Sequence, residues 1–376
     1  MNIIIAGDFA PYGRVGEMFR LGAQNELLEK DVLDKIKEAD YRIINLEAPI
    51  VNGNCDRQIP YKINLSASEK VVKWLKETGF DCATLANNHI RDYCDEGVVN
   101  SLMELDNYGI SRVGAGKDLQ SAKAVLYRQI NDRKFAIINV CENEFSVADS
   151  RPGAAPLDMI DNYHQIIEAK NNADYVIMIV HGGHEQYQLP SPRMKKTYEW
   201  FVDLGADAII NHHQHCFSGI ESYKGKPIFY GIGNFCFDWP GRVGSDWNYG
   251  FMVNLTLEKD ISYDIIPYCQ CDKEPVVRLL DSEEEITFNK KLNEINSIIK
   301  DDTELAVAFA KYCRSRYKGM ELALSPYSSR VLKGLFMRRL LPSFVTDSRR
   351  FFLYDYVNCE AHRDVLLDYL KNEGNW

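Results

Sequence analysis

Short apolar runs alternate with longer segments whose apolar residues recur every three or four positions, up to about residue 210. Apolar runs of about four to eight residues between turn signals are typical of buried strands, and the longer period is typical of helices. The pattern predicts strands at 3–6, 42–46, 82–86, 135–140, 175–180 and 208–210, and helices at 31–39, 69–78, 97–108, 160–171 and 193–204. This alternation predicts an α/β fold in which helices cover the sheets.

The pattern changes after about residue 217, where strand-like runs follow one another without intervening helices. These runs lie at 220–223, 227–230, 251–257 and 263–268, and we expect them to form a second sheet packed on the first. After the acidic run 281–285, helical periods return at 288–300, 303–315, 328–341 and 347–371. We therefore predict an α/β domain over 1–280 and a helical C-terminal region over 281–376.

Composition limits the function classes. Apolar residues make up 45% of the chain, which is ordinary for a globular protein. The net charge of −10 argues against general nucleic-acid binding, although a local basic pocket can still hold an anionic substrate. The ten cysteines lack the spacing of a zinc site, and neither a signal-peptide pattern nor an apolar run of about 18 residues occurs. We expect reduced thiols, a cytoplasmic location and no transmembrane helix.

Histidine is the most informative residue type. Six of the eight histidines fall into three clusters, at 87–89, 181–184 and 212–215, and each cluster directly follows a strand-like run. Imidazole is a common metal ligand and the usual acid or base near neutral pH. Open α/β sheets bind ligands at the carboxyl ends of their strands. The clusters therefore predict one metal-dependent or acid–base centre built from loops at strand ends.

Carboxylate and amide side chains end other strand-like runs. Asp8 follows the first run and Glu47 follows the second. Asp8 would project at the sheet edge where open α/β sheets bind ligands, and a capping role is its alternative. Glu47 is a candidate metal ligand or general base, and a turn role is its alternative. Asn88 offers an amide oxygen as a ligand and His89 offers an imidazole as a proton donor. The alternative for this pair is a helix-capping asparagine followed by a surface histidine.

The segment 181–187 combines two histidines with two glycines. The glycines between His181 and His184 let the backbone approach a ligand closely. His181 ends a strand-like run and is the better metal candidate. His184 and Glu185 lie further from the strand and are candidate substrate contacts. Tyr187 is a third candidate substrate contact, since it can stack on a sugar or acyl group or form a hydrogen bond to it.

The last cluster places histidines at alternating positions. In extended backbone, residues two apart face the same way, so we expect His213 and His215 to reach one centre and His212 to point away. Histidines at this spacing favour a metal site when other ligands exist elsewhere. The loop 231–235 is expected to shape the wall of the pocket.

Seven segments carry these residues. They are Gly7-Asp8, Asn45-Leu46-Glu47-Ala48-Pro49, Leu85-Ala86-Asn87-Asn88-His89 with Asp92-Tyr93, Gly114-Ala115-Gly116, His181-Gly182-Gly183-His184-Glu185, His213-Gln214-His215 and Tyr230-Gly231-Ile232-Gly233-Asn234-Phe235. In this order they resemble the CapA-like family of poly-γ-glutamate capsule synthesis proteins, within the calcineurin-like metallophosphoesterase superfamily. The resemblance covers residues 1 to about 240, and the C-terminal region lies outside it.

The resemblance implies a four-layer α/β/β/α sandwich with a metal centre. The implied ligands are Asp8 and His215 for one divalent ion, Asn88, His181 and His213 for a second, and Glu47 as the bridge between them. His89 would give a proton to the leaving group, and Asp8 and Glu47 would serve catalysis by holding the metal, which activates water or stabilises phosphoryl charge. Mixed nitrogen and oxygen ligands suit Mn, Zn or Fe, and affinity order alone does not choose among them.

Three positions depart from the superfamily pattern. Ala10 stands where an Asp-x-His motif would place a histidine ligand. Asn211 replaces the usual glycine before the last motif, and Gln214 replaces the proline common between its histidines. Because one ligand is missing, we expect one metal ion, or two ions of which one is weakly held.

Basic residues near the proposed ligands suggest the substrate. Arg14, Lys62 and Arg91 lie on loops close to those ligands in sequence, where they would suit an anionic polymer or a phosphorylated glycan. The alternative for each is a solvated surface residue.

The sequence therefore predicts a metal-dependent hydrolase of phosphoester-type bonds that acts in the synthesis or modification of a capsule or other extracellular polymer. The alternative is a non-catalytic, accessory subunit that binds polymer within a capsule synthesis complex. Capsule synthesis proteins are then expected partners. The basic and apolar segment 331–352 suggests either a peripheral membrane surface or a helix packed on the α/β domain, and we favour packing.

Overall fold

The structure is a computed structural model that describes residues 1–53, 56–57 and 63–372. The chain forms two compact units, Met1–Leu305 and Ala306–Trp376. The predicted division of the chain at 280/281 stays a prediction, while the compact units divide after Leu305.

The first unit contains the strands. They are β1 (Asn2–Ala10), β2 (Tyr41–Leu46), β3 (Cys82–Thr84), β4 (Ser111–Val113), β5 (Ala115–Gly116), β6 (Leu126–Ile130), β7 (Arg133–Cys141), β8 (Gly153–Ala154), β9 (Tyr175–His181), β10 (Ala208–His212), β11 (Ile220–Tyr223), β12 (Lys226–Phe229), β13 (Asn234–Phe237), β14 (Tyr249–Leu257), β15 (Ile261–Gln270) and β16 (Val277–Leu279).

Helices connect and follow these strands. They are α1 (Gly13–Leu21), α2 (Lys30–Glu38), α3 (Glu69–Thr78), α4 (Cys94–Asn107), α5 (Leu119–Ala122), α6 (Met159–Asn172), α7 (Pro192–Leu204), α8 (Ser282–Lys300), α9 (Asp302–Ala323), α10 (Arg330–Met337), α11 (Asp347–Asn358) and α12 (Glu360–Asn372).

Two large sheets form the centre of the first unit. One has the order β16-β15-β14-β1-β2-β3-β4 with β13 paired to β1, and the other has the order β11-β12-β10-β9-β7-β6. The strands from β1 to β4 are parallel, as are β7, β9, β10 and β12. Parallel strands covered on both faces are apolar throughout, which explains the runs read from the sequence. Ile3, Ile4 and Ile5 of β1 are all buried.

The two sheets pack face to face and helices cover their outer faces. Between the sheets, the ring centroids of Tyr41 and Phe135 lie 5.3 Å apart. On the first sheet, Trp74 of α3 stacks on Phe9 at 5.2 Å. On the second, α6 and α7 lie against β7, β9, β10 and β12. The predicted α/β/β/α sandwich is confirmed.

The expected meander over 220–268 does not form a sheet of its own. β11 and β12 extend the second sheet, which β7, β9 and β10 have already built, whereas β14 and β15 extend the first. β14 pairs antiparallel with β1, with Ile3 opposite Leu255. The local pattern of apolar residues shows that a segment is a strand, but the sheet edge that it joins depends on contacts distant in sequence. The sequence pattern also did not predict helices α1 and α5 or strands β4, β5, β6, β8, β13 and β16.

Helix α8 belongs to the first unit. The ring of Phe288 lies 4.4 Å from that of Phe217, which follows β10. At the other end of the helix, Lys195 of α7 donates to the carbonyl oxygen of Ile299 at 2.9 Å. A Cβ atom on Gly219 would lie 2.4 Å from Cδ1 of Ile299, so a larger residue there would force side chains of α8 to shift.

The second unit is helical and leaves many apolar side chains at the surface. Val331, Leu340 and Phe351 are 72%, 66% and 70% exposed, whereas Phe336 and Val345 are buried. The helix predicted over 347–371 is two helices, because the backbone at Cys359 is extended between them. Among the described helices, none is both long and apolar enough to cross a membrane.

Candidate metal centre

The carboxyl ends of strands from both sheets meet at one point. Asp8 lies near the end of β1, and Glu47 directly follows β2. His181 ends β9 and lies opposite His212, which ends β10, in the register of the second sheet. Since parallel strands present their carboxyl ends at the same edge, four strands deliver polar side chains to a shared, buried space.

Glu47 lies between two imidazoles. Its Oε1 atom is 3.6 Å from Nε2 of His181 and 3.7 Å from Nε2 of His215. The glutamate is fully buried. This places one carboxylate oxygen where it can share a cation with either histidine.

His181 also lies close to two further candidate ligands, Asn88 and His213. Its Nε2 atom is 3.0 Å from Oδ1 of Asn88 and 3.1 Å from Nδ1 of His213. Burial, followed by the neighbouring His213, holds the pKa of His181 well below its usual value. Burial, followed by the neighbouring His215, lowers the pKa of His213 to about 4. Both rings are therefore neutral near pH 7, as metal coordination requires.

Asp8 is fully buried and surrounded by donors. Its Oδ1 atom accepts a hydrogen bond from the side-chain amide of Asn45 at 2.7 Å, and its Oδ2 atom accepts one from the backbone N–H of His213 at 3.1 Å. Burial alone would raise the pKa of this carboxyl, but His212 and two further imidazoles together hold its pKa well below the usual range. Asp8 is therefore an ionised carboxylate.

Among the described residues, three overlapping groups bring metal-ligand atoms within 4.8 Å of one another. They are Glu47 with His181 and His213, Asp8 with Glu47 and His215, and Glu185 with His213 and His215. Nitrogen and carboxylate ligands bind zinc at about 2.0–2.2 Å, so two ligands of one ion stand within about 4.4 Å of each other. A mixed set of nitrogen and oxygen donors suits a divalent transition metal.

Asn234 orients His215. Its Oδ1 atom lies 2.9 Å from Nδ1 of His215, and its side-chain amide donates to the His215 carbonyl oxygen at 3.1 Å. A partner at one ring nitrogen selects the tautomer that presents the other nitrogen to a metal. The sequence predicted only that 231–235 shapes the wall of the pocket. Asn234 is the polar residue in that otherwise apolar segment, and this feature could have identified it as a functional residue.

His89 and Asp92 form a second functional pair. Nδ1 of His89 lies 2.5 Å from Oδ2 of Asp92, which also accepts a hydrogen bond from the backbone N–H of Leu65 at 2.8 Å. The backbone N–H of His89 donates to Asn87, whose side-chain amide donates to the carbonyl oxygen of Leu46. The loop that carries His89 is thus tied to the end of β2. Asp92 lies in one of the seven segments that carry the family resemblance, but no role was predicted for it.

The prediction that His212 points away from the centre is wrong. Its Nδ1 atom lies 3.0 Å from Oδ1 of Asp8. The backbone φ angles of His213 and His215 are 85° and 56°, so the chain leaves the extended conformation directly after β10. Alternation of side chains does not apply there. His213 and His215 nevertheless converge as expected.

The residues predicted to contact the substrate differ from one another in burial and in their bonding partners. Arg14 forms an ion pair with Asp238 and donates to the carbonyl oxygens of Cys271, Asp272 and Lys273, so its guanidinium serves as a cross-link between loops. Its expected role as a substrate contact stays a prediction.

Arg91 is buried and donates to Asp95 at 2.7 Å, and Lys62 lies outside the described residues. Glu185 is exposed beside His213 and His215. Half-buried His184 lies next to Tyr187, with ring centroids 6.4 Å apart.

Known sequences include relatives of this chain. Residues 2–239 match the family described as bacterial capsule synthesis protein PGA_cap. Over 212 residues, the chain is 33% identical to the capsule biosynthesis protein CapA of Bacillus anthracis, covering 54% of this chain and 52% of that protein. Over 206 residues, it is 34% identical to the PGA biosynthesis protein CapA of Bacillus subtilis, covering 54% of each. The aligned region spans about half the length of these relatives.

Two solved structures align with the chain. One is a novel phosphatase from Mycoplasma pneumoniae, with a TM-score of 0.47 and 16% identity over 73% of this chain and 95% of that one. The other is a 5'-nucleotidase from Candida albicans SC5314, with a TM-score of 0.41 and 12% identity over 83% of this chain and 58% of that one. Both TM-scores lie below 0.5, so nothing about the chemistry of this chain follows from them.

Proposed function

This chain belongs to the bacterial capsule synthesis protein (PGA_cap) family, and on that premise we propose that it is a metal-dependent hydrolase of phosphoester-type bonds, acting in the synthesis or modification of an extracellular anionic polymer. The convergence of buried nitrogen and oxygen donors from both sheets supports this proposal. The names of the two CapA relatives, which refer to capsule and PGA biosynthesis, support the polymer as the setting.

The residues at the strand ends fit a divalent metal. In our proposal, Asp8 and His215 would hold one ion, Asn88, His181 and His213 would hold a second, and Glu47 would be shared by both. The placement of Glu47 Oε1 almost equally far from His181 and His215 supports a bridging role. A bound metal would supply an activated water and stabilise charge on a phosphoryl oxygen.

His89 is the proposed proton donor to the leaving group. The Asp92 carboxylate accepts the proton of Nδ1 and favours the imidazolium form of the ring, in which Nε2 carries the second proton and can give it to the leaving group. The His89 side chain is 12% exposed, whereas the proposed histidine ligands are 7% exposed or less. The donor therefore lies closer to the path of an incoming substrate than the ligands do.

Metal analysis and turnover of a generic aryl phosphate test the proposal together. The purified chain is expected to carry near-stoichiometric metal and to hydrolyse the ester. His89→Ala should lower turnover by about 10²–10⁴-fold and retain the metal. The control His164→Ala changes an exposed histidine on α6 and should have no effect. Full activity in His89→Ala would show that the assigned acid is wrong.

An accessory, polymer-binding role is the second candidate function. Ala10, which takes the place of a histidine ligand, is fully buried and lies opposite Phe237 of β13, so an apolar contact occupies that position. Absence of both bound metal and turnover with Mn²⁺, Zn²⁺ and Ni²⁺, combined with retained polymer binding, would favour this role over hydrolysis.

A further inference from the structure

A row of aromatic rings leads away from the candidate metal centre. The ring centroid of Trp247 lies 4.7 Å from that of His215, and Trp239 lies 5.8 Å from Trp247. Tyr12, in the loop after β1, stacks on Trp239 at 5.0 Å. Trp247 is buried, whereas Trp239 and Tyr12 are half-buried. The row therefore begins beside a proposed ligand and ends at the protein surface.

Arg242 adds a positive charge to this row. Its guanidinium carbon lies 5.7 Å from the centroid of the Trp247 ring, so Arg242 and His215 both lie next to the same indole. The two carboxylates nearest to it in sequence have other partners, because Asp238 pairs with Arg14 and Asp246 pairs with Lys291. Within the part of the chain that the structure describes, Arg242 forms no ion pair.

Among the described residues, Arg242 carries an unpaired positive charge in a chain that is negatively charged overall and whose other arginines near the centre are paired with carboxylates. The chain as a whole carries a net charge of −10. Other arginines close to the centre in sequence are matched by carboxylates, as Arg91 is by Asp95 and Arg193 is by Glu142. An unmatched guanidinium beside a buried site attracts anions, and its planar fork suits carboxylate or phosphate oxygens.

We infer that Arg242, Trp239 and Tyr12 form a substrate subsite that binds an acidic group of the polymer next to the metal centre. This inference rests on the proposed function, since it names the substrate class that the same centre would take. Arg242 binds the carboxylate or phosphate, and the exposed parts of Trp239 and Tyr12 cover the adjoining sugar ring or amide plane. Arg242 thus determines specificity, and it is not required for metal binding.

Tryptophan fluorescence of the full-length chain tests this subsite without requiring turnover. Two of the five tryptophans, Trp239 and Trp247, lie in the row. The probes are a short γ-linked glutamate oligomer, its neutral side-chain amide, and glycerol phosphate. We expect the oligomer or glycerol phosphate to change the fluorescence and the neutral amide to bind at least about tenfold more weakly. The anion that binds more tightly identifies a glutamyl carboxylate or a glycan phosphate as the source.

Matched variants assign the effect to the guanidinium. Arg242→Gln should weaken binding of the preferred anion about tenfold or more, and Arg242→Lys should recover part of the loss. Arg112→Gln is the control, because Arg112 pairs with Asp106 at the surface. Thermal unfolding of each variant monitors folding.

Equal binding of the anion by Arg242→Gln and the unaltered chain, or equal binding of the neutral amide and the anion, would overturn the inference. Loss of metal and turnover with anion binding intact would instead count against the hydrolase alone. The two proposals can therefore fail separately.

Discussion

The Nδ1 atom of His212 lies 3.0 Å from the Oδ1 atom of Asp8, and the two residues lie at or near the ends of strands that belong to different sheets. The pair thus joins the sheets across the buried edge at which the candidate ligands meet. Because Asp8 is a proposed ligand, an imidazole at this distance supports the ionised carboxylate that a metal would need.

His212→Gln should therefore weaken metal binding even though His212 is not among the proposed ligands. Loss of a partner that orients a ligand typically lowers metal affinity about 10–100-fold. Calorimetric titration of the metal-free chain with Mn²⁺ measures the change. His164→Gln, on the exposed face of α6, is the matched control and should bind Mn²⁺ normally. An unchanged affinity in His212→Gln would show that this contact plays no part in the metal site.

Asp92→Asn should lower turnover and leave the metal in place. The neutral amide does not stabilise the imidazolium form of His89 as a carboxylate does, so fewer rings carry the Nε2 proton that the leaving group would receive. The effects of His89→Ala and Asp92→Asn should not add, because the two residues act as one unit. Turnover of an aryl phosphate by both single variants and the double variant completes the cycle. Additive losses would contradict the pairing.

Asn139→Ala should destabilise the protein and displace the loop that carries His89. The Oδ1 atom of Asn139 accepts a hydrogen bond from the buried backbone N–H of Ala86 at 2.8 Å. Loss of this acceptor should lower the free energy of unfolding by about 1–3 kcal/mol. Urea unfolding measures the change, with Asn172→Ala on the exposed end of α6 as the control. Equal stability of the two variants would rule out the proposed support.

The thiol of Cys82 should resist alkylation up to high pH. Burial raises its pKa from 9.0 to about 12, so the folded chain keeps the proton. Stabilisation by the protonated thiol is complete below pH 9 and is lost as the pH rises toward 12. Iodoacetamide labelling at pH 8, followed by mass spectrometry, should modify the half-buried Cys313 and Cys359 first. Rapid labelling of Cys82 in the folded chain would contradict this burial; urea-unfolded protein is the control.

Much of the candidate site was predictable because its residues directly follow apolar runs. Asp8, Glu47 and His181 each stand where a buried strand ends, and parallel strands end at a common edge. The residues that support them were not predictable in this way. Asn45, Asn139 and Asn234 are single amides in strands, and their contacts lie with residues far away in sequence.

The sequence by itself determined the alternation of helices and strands and the chemical types gathered at the strand ends, because periodicity and turn residues are local properties. Only the tertiary structure decided that β14 pairs with β1, that His212 faces Asp8 and that Arg14 forms an ion pair with Asp238. Each of these depends on register, backbone turns or ion pairing between segments that folding alone brings together.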